Sequence, residues 1–200
     1  MKSLVLLLSL IVFGISTEVS DGYKVGDTAR DFSLKNTDGK MVSLKTHSGE
    51  KGAIVIFTCN TCPYSKAYED RIIDLQSKYK DKGYPVIAIQ PNDPARSPGD
   101  SFDNMKARAK EKGFNFPYLI DTTQEITTTY GATNTPHVYV LEKESGKFTV
   151  KYIGAIDNNS RDASSASEKY VEKAVDALLA GSEVEKTSTK AIGCTIKWSK

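Results

Sequence analysis

The sequence predicts an α/β fold in which a central mixed sheet is flanked by helices, with a β-hairpin near the N-terminus. Three observations support this prediction. An apolar strand, an amphipathic helix and a second apolar strand follow one another in the first half of the chain. This order makes a βαβ unit, whose two strands run parallel. One hairpin pattern precedes that unit, and a second hairpin pattern and a last helix follow it, so antiparallel strands join the same sheet.

The predicted strands are short apolar runs or alternating segments. Residues 32–35 and 41–44 alternate in polarity on either side of an Asp38-Gly39 turn, which predicts the N-terminal hairpin. The run 53–57 is apolar throughout, as a strand buried on both faces requires. The remaining extended segments are predicted at 86–89, 116–121, 138–141 and 148–153, and the last two form a hairpin.

The predicted helices place apolar residues at helical spacing. The first begins at Pro63 and ends near Gly83, and its apolar stripe consists of Tyr68, Ile72, Leu75 and Tyr79. A second helix is predicted around Phe102, Met105 and Ala109, a short one at 122–130, and a last one that ends at Gly181.

Length and composition narrow the class of protein. A chain of 200 residues fits one domain of ordinary size. The 27 basic and 25 acidic residues leave a net charge of only +2, which gives no broad basic field for nucleic acid. Three cysteines and two histidines are too few for a disulfide-rich module and offer little material for a metal site with several ligands.

The N-terminus predicts an exported protein. A single lysine precedes an apolar run at residues 4–13, which is too short to span a bilayer, and small residues follow it. We interpret residues 1–16 as a secretory signal peptide, with cleavage after Ser16 or a few residues later. A buried first strand and an uncleaved membrane anchor are the alternatives. The expected location is the periplasm or the medium, an oxidising compartment in which a cysteine pair can form a disulfide. We expect no stable membrane insertion after the signal is removed.

A Cys-x-x-Cys motif, Cys59-Asn60-Thr61-Cys62, stands where the predicted strand 53–57 gives way to the first helix. A thiol at a helix start faces unpaired backbone N–H groups and the positive end of the helix dipole, and both favour the thiolate. Redox chemistry is therefore the leading interpretation. A zinc half-site, a purely structural disulfide and a copper or haem site are alternatives, although no second ligand pair or CxxCH sequence is present.

The chain resembles the thioredoxin superfamily, in its exported redoxin branch related to the AhpC/TSA-type peroxiredoxins. The resemblance runs from about residue 23 to residue 181. It rests on the segments 25–27 and 31–34, on 57–64 around the two cysteines, on Phe116-Pro117 before 119–121, and on Thr135-Pro136. It implies a thioredoxin-like fold over a domain of residues 17–182. It also implies that Pro136 is a cis proline beside the two cysteines, and that Thr135 offers backbone groups to an extended substrate.

The resemblance implies a thiol–disulfide oxidoreductase. From its position at the helix start, we expect Cys59 to have the lower pKa and to attack a substrate disulfide, and Cys62 to resolve the mixed disulfide. The expected partners are disulfide-bearing protein substrates and a dithiol electron donor, with no metal or organic cofactor. A thiol peroxidase and a non-enzymatic copper-binding module are the alternative functions. Peroxiredoxins carry Thr or Ser three residues before the reactive cysteine and Pro seven before it, whereas Ile56 and Gly52 occupy those positions before Cys59.

Two further residues stand near the motif or at the chain end. His137 follows Pro136, and we interpret it as a strand residue that faces solvent. Cys194 is the third cysteine, in a C-terminal tail of residues 183–200. Ile192, Cys194, Ile196 and Trp198 alternate with small or polar residues, so we expect the tail to dock in an extended form with these four facing the protein. Cys194 is then either a small buried apolar residue or an extra resolving thiol, and it is left out of the principal site.

Overall fold

The protein is described from a computed structural model, which covers residues 21–47 and 49–200. The predicted signal segment 1–16 lies outside the described residues. The strands are β1 (Ser33–Asn36), β2 (Met41–Ser43), β3 (Gly52–Phe57), β4 (Val86–Gln90), β5 (Tyr118–Ile120), β6 (Asn134–Thr135), β7 (His137–Glu144), β8 (Lys147–Gly154) and β9 (Cys194–Thr195). The helices are α1 (Pro63–Tyr79), α2 (Phe102–Lys112), α3 (Glu125–Tyr130) and α4 (Tyr170–Leu179).

Seven strands form one mixed sheet in the order β2-β1-β5-β4-β3-β7-β8. The pairs β3–β4 and β4–β5 are parallel, and β3–β7, β7–β8, β1–β5 and β1–β2 are antiparallel. The predicted α/β fold with a central mixed sheet, flanking helices and an N-terminal β-hairpin is therefore confirmed. The hairpin β1–β2 forms one edge of the sheet, next to β5, so it is part of the same layer.

The strand β3 lies in the interior of the sheet and is buried along its whole length. Because successive side chains point to opposite faces, Ile54 and Ile56 enter one apolar cluster with α1 and α4. Ala53, Val55 and Phe57 enter a second cluster on the other face, with α3. Helices on both faces explain why this strand is an uninterrupted apolar run.

The C-terminal tail docks on the domain, but not in the way that its alternation predicts. A two-stranded ladder joins β9 to β6, beside the main sheet. Ile196 is buried, and Cys194 is half-buried. Ile192 and Trp198 are 48% and 40% exposed, so the expectation that all four alternating residues face the protein is wrong for these two. Within residues 21–47 and 49–200, no helix has the length and apolar character that crossing a bilayer requires.

Candidate active site

The Cys-x-x-Cys motif connects the end of β3 to the start of α1. Thr58 still donates its N–H to the carbonyl of Ile89 on β4, so the chain leaves the sheet only at Cys59. The helix begins at Pro63, which has no N–H to leave unpaired, and Cys62 is its N-cap residue. Both cysteines are free thiols, and each is only 3% exposed.

Thr135 and Pro136 lie against the two cysteines, because β7 begins at His137 and pairs it with Phe57 at the end of β3. The Thr135–Pro136 peptide bond is cis, as the resemblance implies. The Oγ1 atom of Thr135 lies 3.2 Å from Cys59 Sγ. Its carbonyl oxygen lies 3.2 Å from Cys62 Sγ. The structure thus brings together the four residues that the sequence predicts for the site.

Cys194 joins this group, although we did not expect it in the principal site from the sequence. Its Sγ lies 2.6 Å from Cys62 Sγ. The strand β9 that carries Cys194 pairs antiparallel with β6, and in this register Cys194 stands opposite Thr135. Three thiols therefore meet at one place, and Cys62 contacts the other two. The alternating pattern 192–198 predicts that the tail docks, but it carries no information about the partner strand.

The acidity of the two motif thiols is opposite to the sequence-based expectation. The pKa of Cys62 is lowered, because its hydrogen bond with the Cys59 thiol favours the Cys62 thiolate and the Cys194 thiol and the Ser65 N–H add to this, against the effect of burial. The pKa of Cys59 is raised, because it is the donor in that bond, is buried, and faces the negative charge of Asp100. The position of the helix start favours the same order, since Cys62 is the N-cap residue, whereas Cys59 lies before the helix.

The buried carboxylate of Asp100 holds the motif loop in place. Its Oδ1 accepts the backbone N–H groups of Asn60 and Thr61 at 2.7 and 3.1 Å. Its Oδ2 accepts the Thr61 and Ser97 hydroxyls at 2.8 and 2.6 Å and the Asn92 amide at 2.8 Å. Asp100 is fully buried, and a carboxylate with this many donors is a rigid anchor. In the sequence it follows Ser-Pro-Gly in a loop, where no pattern distinguishes it from a surface residue.

The side chains of the two central residues of the motif form hydrogen bonds with groups other than the two thiols. Asn60 donates from its side chain to the carbonyl of Gly99 and accepts the hydroxyl of the buried Tyr118 at 3.0 Å. Thr61 directs its hydroxyl to Asp100. The residues between the cysteines therefore position the loop and do not contact the thiols through these groups.

His137 is buried, so its interpretation as a solvent-facing strand residue is wrong. It is 8% exposed, its ring packs 5.0 Å from the ring of Tyr139, and its Nδ1 accepts a hydrogen bond from the N–H of Thr133. Burial lowers its pKa to about 4, so the imidazole is neutral at physiological pH. In the described part of the chain, no group of three or more His, Cys, Asp or Glu side chains is arranged to hold a metal ion.

Comparison with known proteins assigns the fold and the family. A crystal structure of an uncharacterized conserved protein from Geobacillus kaustophilus superposes with a TM-score of 0.82 at 33% identity, covering 94% of this chain and 98% of that one. A thiol:disulfide interchange protein of the thioredoxin family from Chlorobium tepidum TLS superposes with a TM-score of 0.55 at 20% identity, covering 70% of this chain and 93% of that one. The chain therefore has the thioredoxin-like fold that the resemblance implies.

A curated relative and a family match define the class further. The chain is 30% identical over 135 residues to the thiol-disulfide oxidoreductase ResA of Bacillus thuringiensis (strain Al Hakam), which covers 66% of this chain and 70% of that protein. A site of clustered thiols on this fold, with such a relative, defines an oxidoreductase. Residues 25–153 match the AhpC/TSA family, and the chain belongs to it.

Proposed function

We propose that the protein is an exported thiol–disulfide oxidoreductase that uses Cys59 and Cys62 as its dithiol/disulfide couple. The observation that carries this proposal is the contact of Thr135 with both sulfur atoms, at 3.2 Å each. A residue that precedes a proline beside a Cys-x-x-Cys motif can pair its backbone with an extended substrate segment and so place a substrate disulfide against the thiols. The relative in Bacillus thuringiensis, named a thiol-disulfide oxidoreductase, supports this choice.

The order of acidity favours Cys62 as the attacking thiolate. Because its pKa is lowered, Cys62 is the motif cysteine that ionises more readily, and the thiolate is the nucleophile in disulfide exchange. It attacks one sulfur of a substrate disulfide, a mixed disulfide forms, and the other substrate sulfur leaves as a thiolate and takes up a proton. This proposal exchanges the roles expected from the sequence, in which Cys59 is the attacking thiol.

Cys59 completes the reaction as the resolving thiol. It loses its proton and attacks the Cys62 sulfur of the mixed disulfide, so the second substrate sulfur leaves as a thiol and a Cys59–Cys62 disulfide remains. The substrate gains two electrons and two protons, and the protein dithiol is oxidised. A dithiol protein returns the couple to its reduced form by the same exchange in reverse. Neither step requires a metal or an organic cofactor.

Reduction of a protein disulfide tests the proposal. The fully reduced protein is incubated with insulin, and the release of insulin thiols and the loss of protein thiols are counted together. We expect the wild type to oxidise one dithiol for each insulin disulfide reduced, and Cys62→Ser to lose this activity. Tyr64→Phe, a change at a half-buried side chain in the first turn of α1 that leaves the thiols intact, is the control.

The same preparations measure the competing functions. Consumption of hydrogen peroxide by the reduced wild type, with no reaction toward insulin, would contradict the proposal and favour a thiol peroxidase. Copper that copurifies with the protein and blocks thiol titration would favour the binding module. N-terminal sequencing of protein recovered from outside the cytoplasm tests the export claim, with a start at or shortly after residue 17 as the expected result.

A further inference from the structure

Residues 187–199, near the C-terminal end of the chain, are held on the domain by a series of specific contacts, and we call them the C-terminal segment. Thr187 and Thr189 form backbone hydrogen bonds to Ile153 of β8. Further along, Lys197 donates its N–H to the side chain of Asn92, and its carbonyl accepts the N–H of Asp93. This segment is therefore part of the folded structure.

The C-terminal segment occupies the backbone edge that a substrate would use. The strand β9 pairs with Asn134 and Thr135, and Ile196 donates its N–H to the carbonyl of Thr133. A Cβ atom added to Gly193 would lie 2.0 Å from the carbonyl oxygen of Thr135 and 3.1 Å from the nitrogen of Pro136. The segment thus packs backbone against backbone on the residues before the proline, and a side chain at this position would prevent the contact.

The register of this pairing brings Cys194 to Cys62. With Cys194 opposite Thr135, the two sulfur atoms lie 2.6 Å apart, and both residues are free thiols. A disulfide bond measures about 2.05 Å, so a small movement is enough to join them. Cys194 therefore stands where the cysteine of an external substrate would stand if it paired with Thr135 in the same register.

We infer that Cys194 is a third redox-active cysteine and that the C-terminal segment acts as an internal substrate, which forms a Cys62–Cys194 disulfide. This inference rests on the proposed function, because the Cys59–Cys62 disulfide supplies the starting oxidation state. The Cys194 sulfur loses its proton and attacks Cys62, the Cys62–Cys194 bond forms and the Cys59–Cys62 bond breaks. Cys59 leaves as a thiolate and takes up a proton. The exchange is internal, so no electrons enter or leave.

The internal disulfide controls access to the site. Cys59 and Cys62 are each 3% exposed while the segment is docked. An external disulfide therefore reaches Cys62 only when the segment leaves the Thr135 edge. Oxidation to Cys62–Cys194 fixes the segment in place and excludes an external substrate, and reduction of that bond by a dithiol donor releases it. Cys194 and an external substrate thus compete for the same thiolate and the same strand edge.

Disulfide mapping tests the inference. The reduced full-length mature chain is oxidised with glutathione disulfide, remaining thiols are blocked at low pH, and peptides are analysed without reduction. We expect the wild type to contain a Cys62–Cys194 peptide beside the Cys59–Cys62 peptide. Cys59→Ser should form Cys62–Cys194 as its intramolecular disulfide, and the matched Cys62→Ser should form none, because Cys194 contacts Cys62.

Two outcomes separate this inference from the proposed function. Absence of the Cys62–Cys194 peptide from both the oxidised wild type and Cys59→Ser would overturn the role of Cys194, even if insulin reduction is intact. The variant Cys194→Ser keeps the Cys59–Cys62 pair, so its failure to reduce insulin would count against the proposed function. If the segment competes with substrate, Cys194→Ser should reduce insulin faster than the wild type, and an unchanged rate would contradict the competition.

Discussion

Cys194 stands directly opposite Thr135 in an antiparallel ladder, so the residue before the cis proline is already paired with a strand of the same chain. The sulfur of Cys194 consequently contacts the sulfur of Cys62. This relationship links the three cysteines into one site.

The first prediction concerns which thiol is ionised. The ultraviolet absorbance of thiolate, recorded against pH, should show one group titrating well below the ordinary pKa of a cysteine thiol in the wild type and in Cys194→Ser, because Cys62 still accepts a hydrogen bond from Cys59. Cys62→Ser should lose this low-pH step. If Cys59→Ser loses it while Cys62→Ser keeps it, the order of acidity is the reverse of the one described.

The second prediction concerns the docking of the C-terminal segment. Gly193→Ala should release it, since the new Cβ would overlap the carbonyl of Thr135. Hydrogen exchange should then accelerate at the amides of Ile196, Lys197 and Ser199, which are bonded in the docked state. The matched control is Gly49→Ala, where an added Cβ meets nothing within 4 Å. Equal protection of these amides in both variants would contradict the packing at Gly193.

The third prediction concerns Asp100. Asp100→Asn keeps one oxygen acceptor but points an NH₂ group at hydroxyl and amide donors, so we expect the free energy of unfolding to fall by about 1–3 kcal/mol. The pKa of Cys59 should also fall, because the carboxylate charge raises it. Urea denaturation and thiolate titration measure the two effects. Asp103→Asn is the control, because Asp103 is fully exposed and pairs with Lys106 on the surface. A wild-type unfolding curve for Asp100→Asn would show that the anchor is unimportant.

The fourth prediction concerns pH and His137. Its pKa is about 4 in the folded protein and ordinarily 6.5, so the unfolded chain binds a proton first as the pH falls. The neutral imidazole of His137 therefore contributes to the free energy of unfolding, and this contribution is fully present above pH 6.5. It is lost as the pH falls from 6.5 to 4, and the total loss is about 3 kcal/mol. His137→Phe removes this titration. The difference in unfolding free energy between wild type and variant should change over that interval, and a constant difference would contradict the burial argument.

Much of the fold follows from local patterns. The βαβ unit and both hairpins follow from apolar runs, helical spacing and Gly-containing turns, because each signal lies within one element. The pair of cysteines at the start of α1 and the proline before β7 were likewise predictable. The acidity order was not, because it depends on the contacts that the thiols make with one another and on which cysteine is the N-cap residue.

The remaining parts of the site depend on long-range packing. Asp100 binds a loop that is 39 residues away in sequence, and Cys194 meets Cys62 across 132 residues. Neither contact produces a periodic pattern in the amino-acid sequence from which it could be predicted. The alternation at 192–198 indicated an extended tail, but the two ends of that pattern, Ile192 and Trp198, are exposed.

The most direct test of the account is to identify the sulfur that attacks a substrate disulfide. Cys59→Ser and Cys62→Ser, both in a Cys194→Ser background, each retain one motif thiol and are mixed at neutral pH with a peptide disulfide. Mass spectrometry then measures the rate of mixed-disulfide formation at that thiol. The account predicts a fast and stable adduct at Cys62 in the Cys59→Ser variant and a much slower reaction of Cys59 in its counterpart. Faster reaction at Cys59 would contradict the assignment of Cys62 as the attacking thiolate.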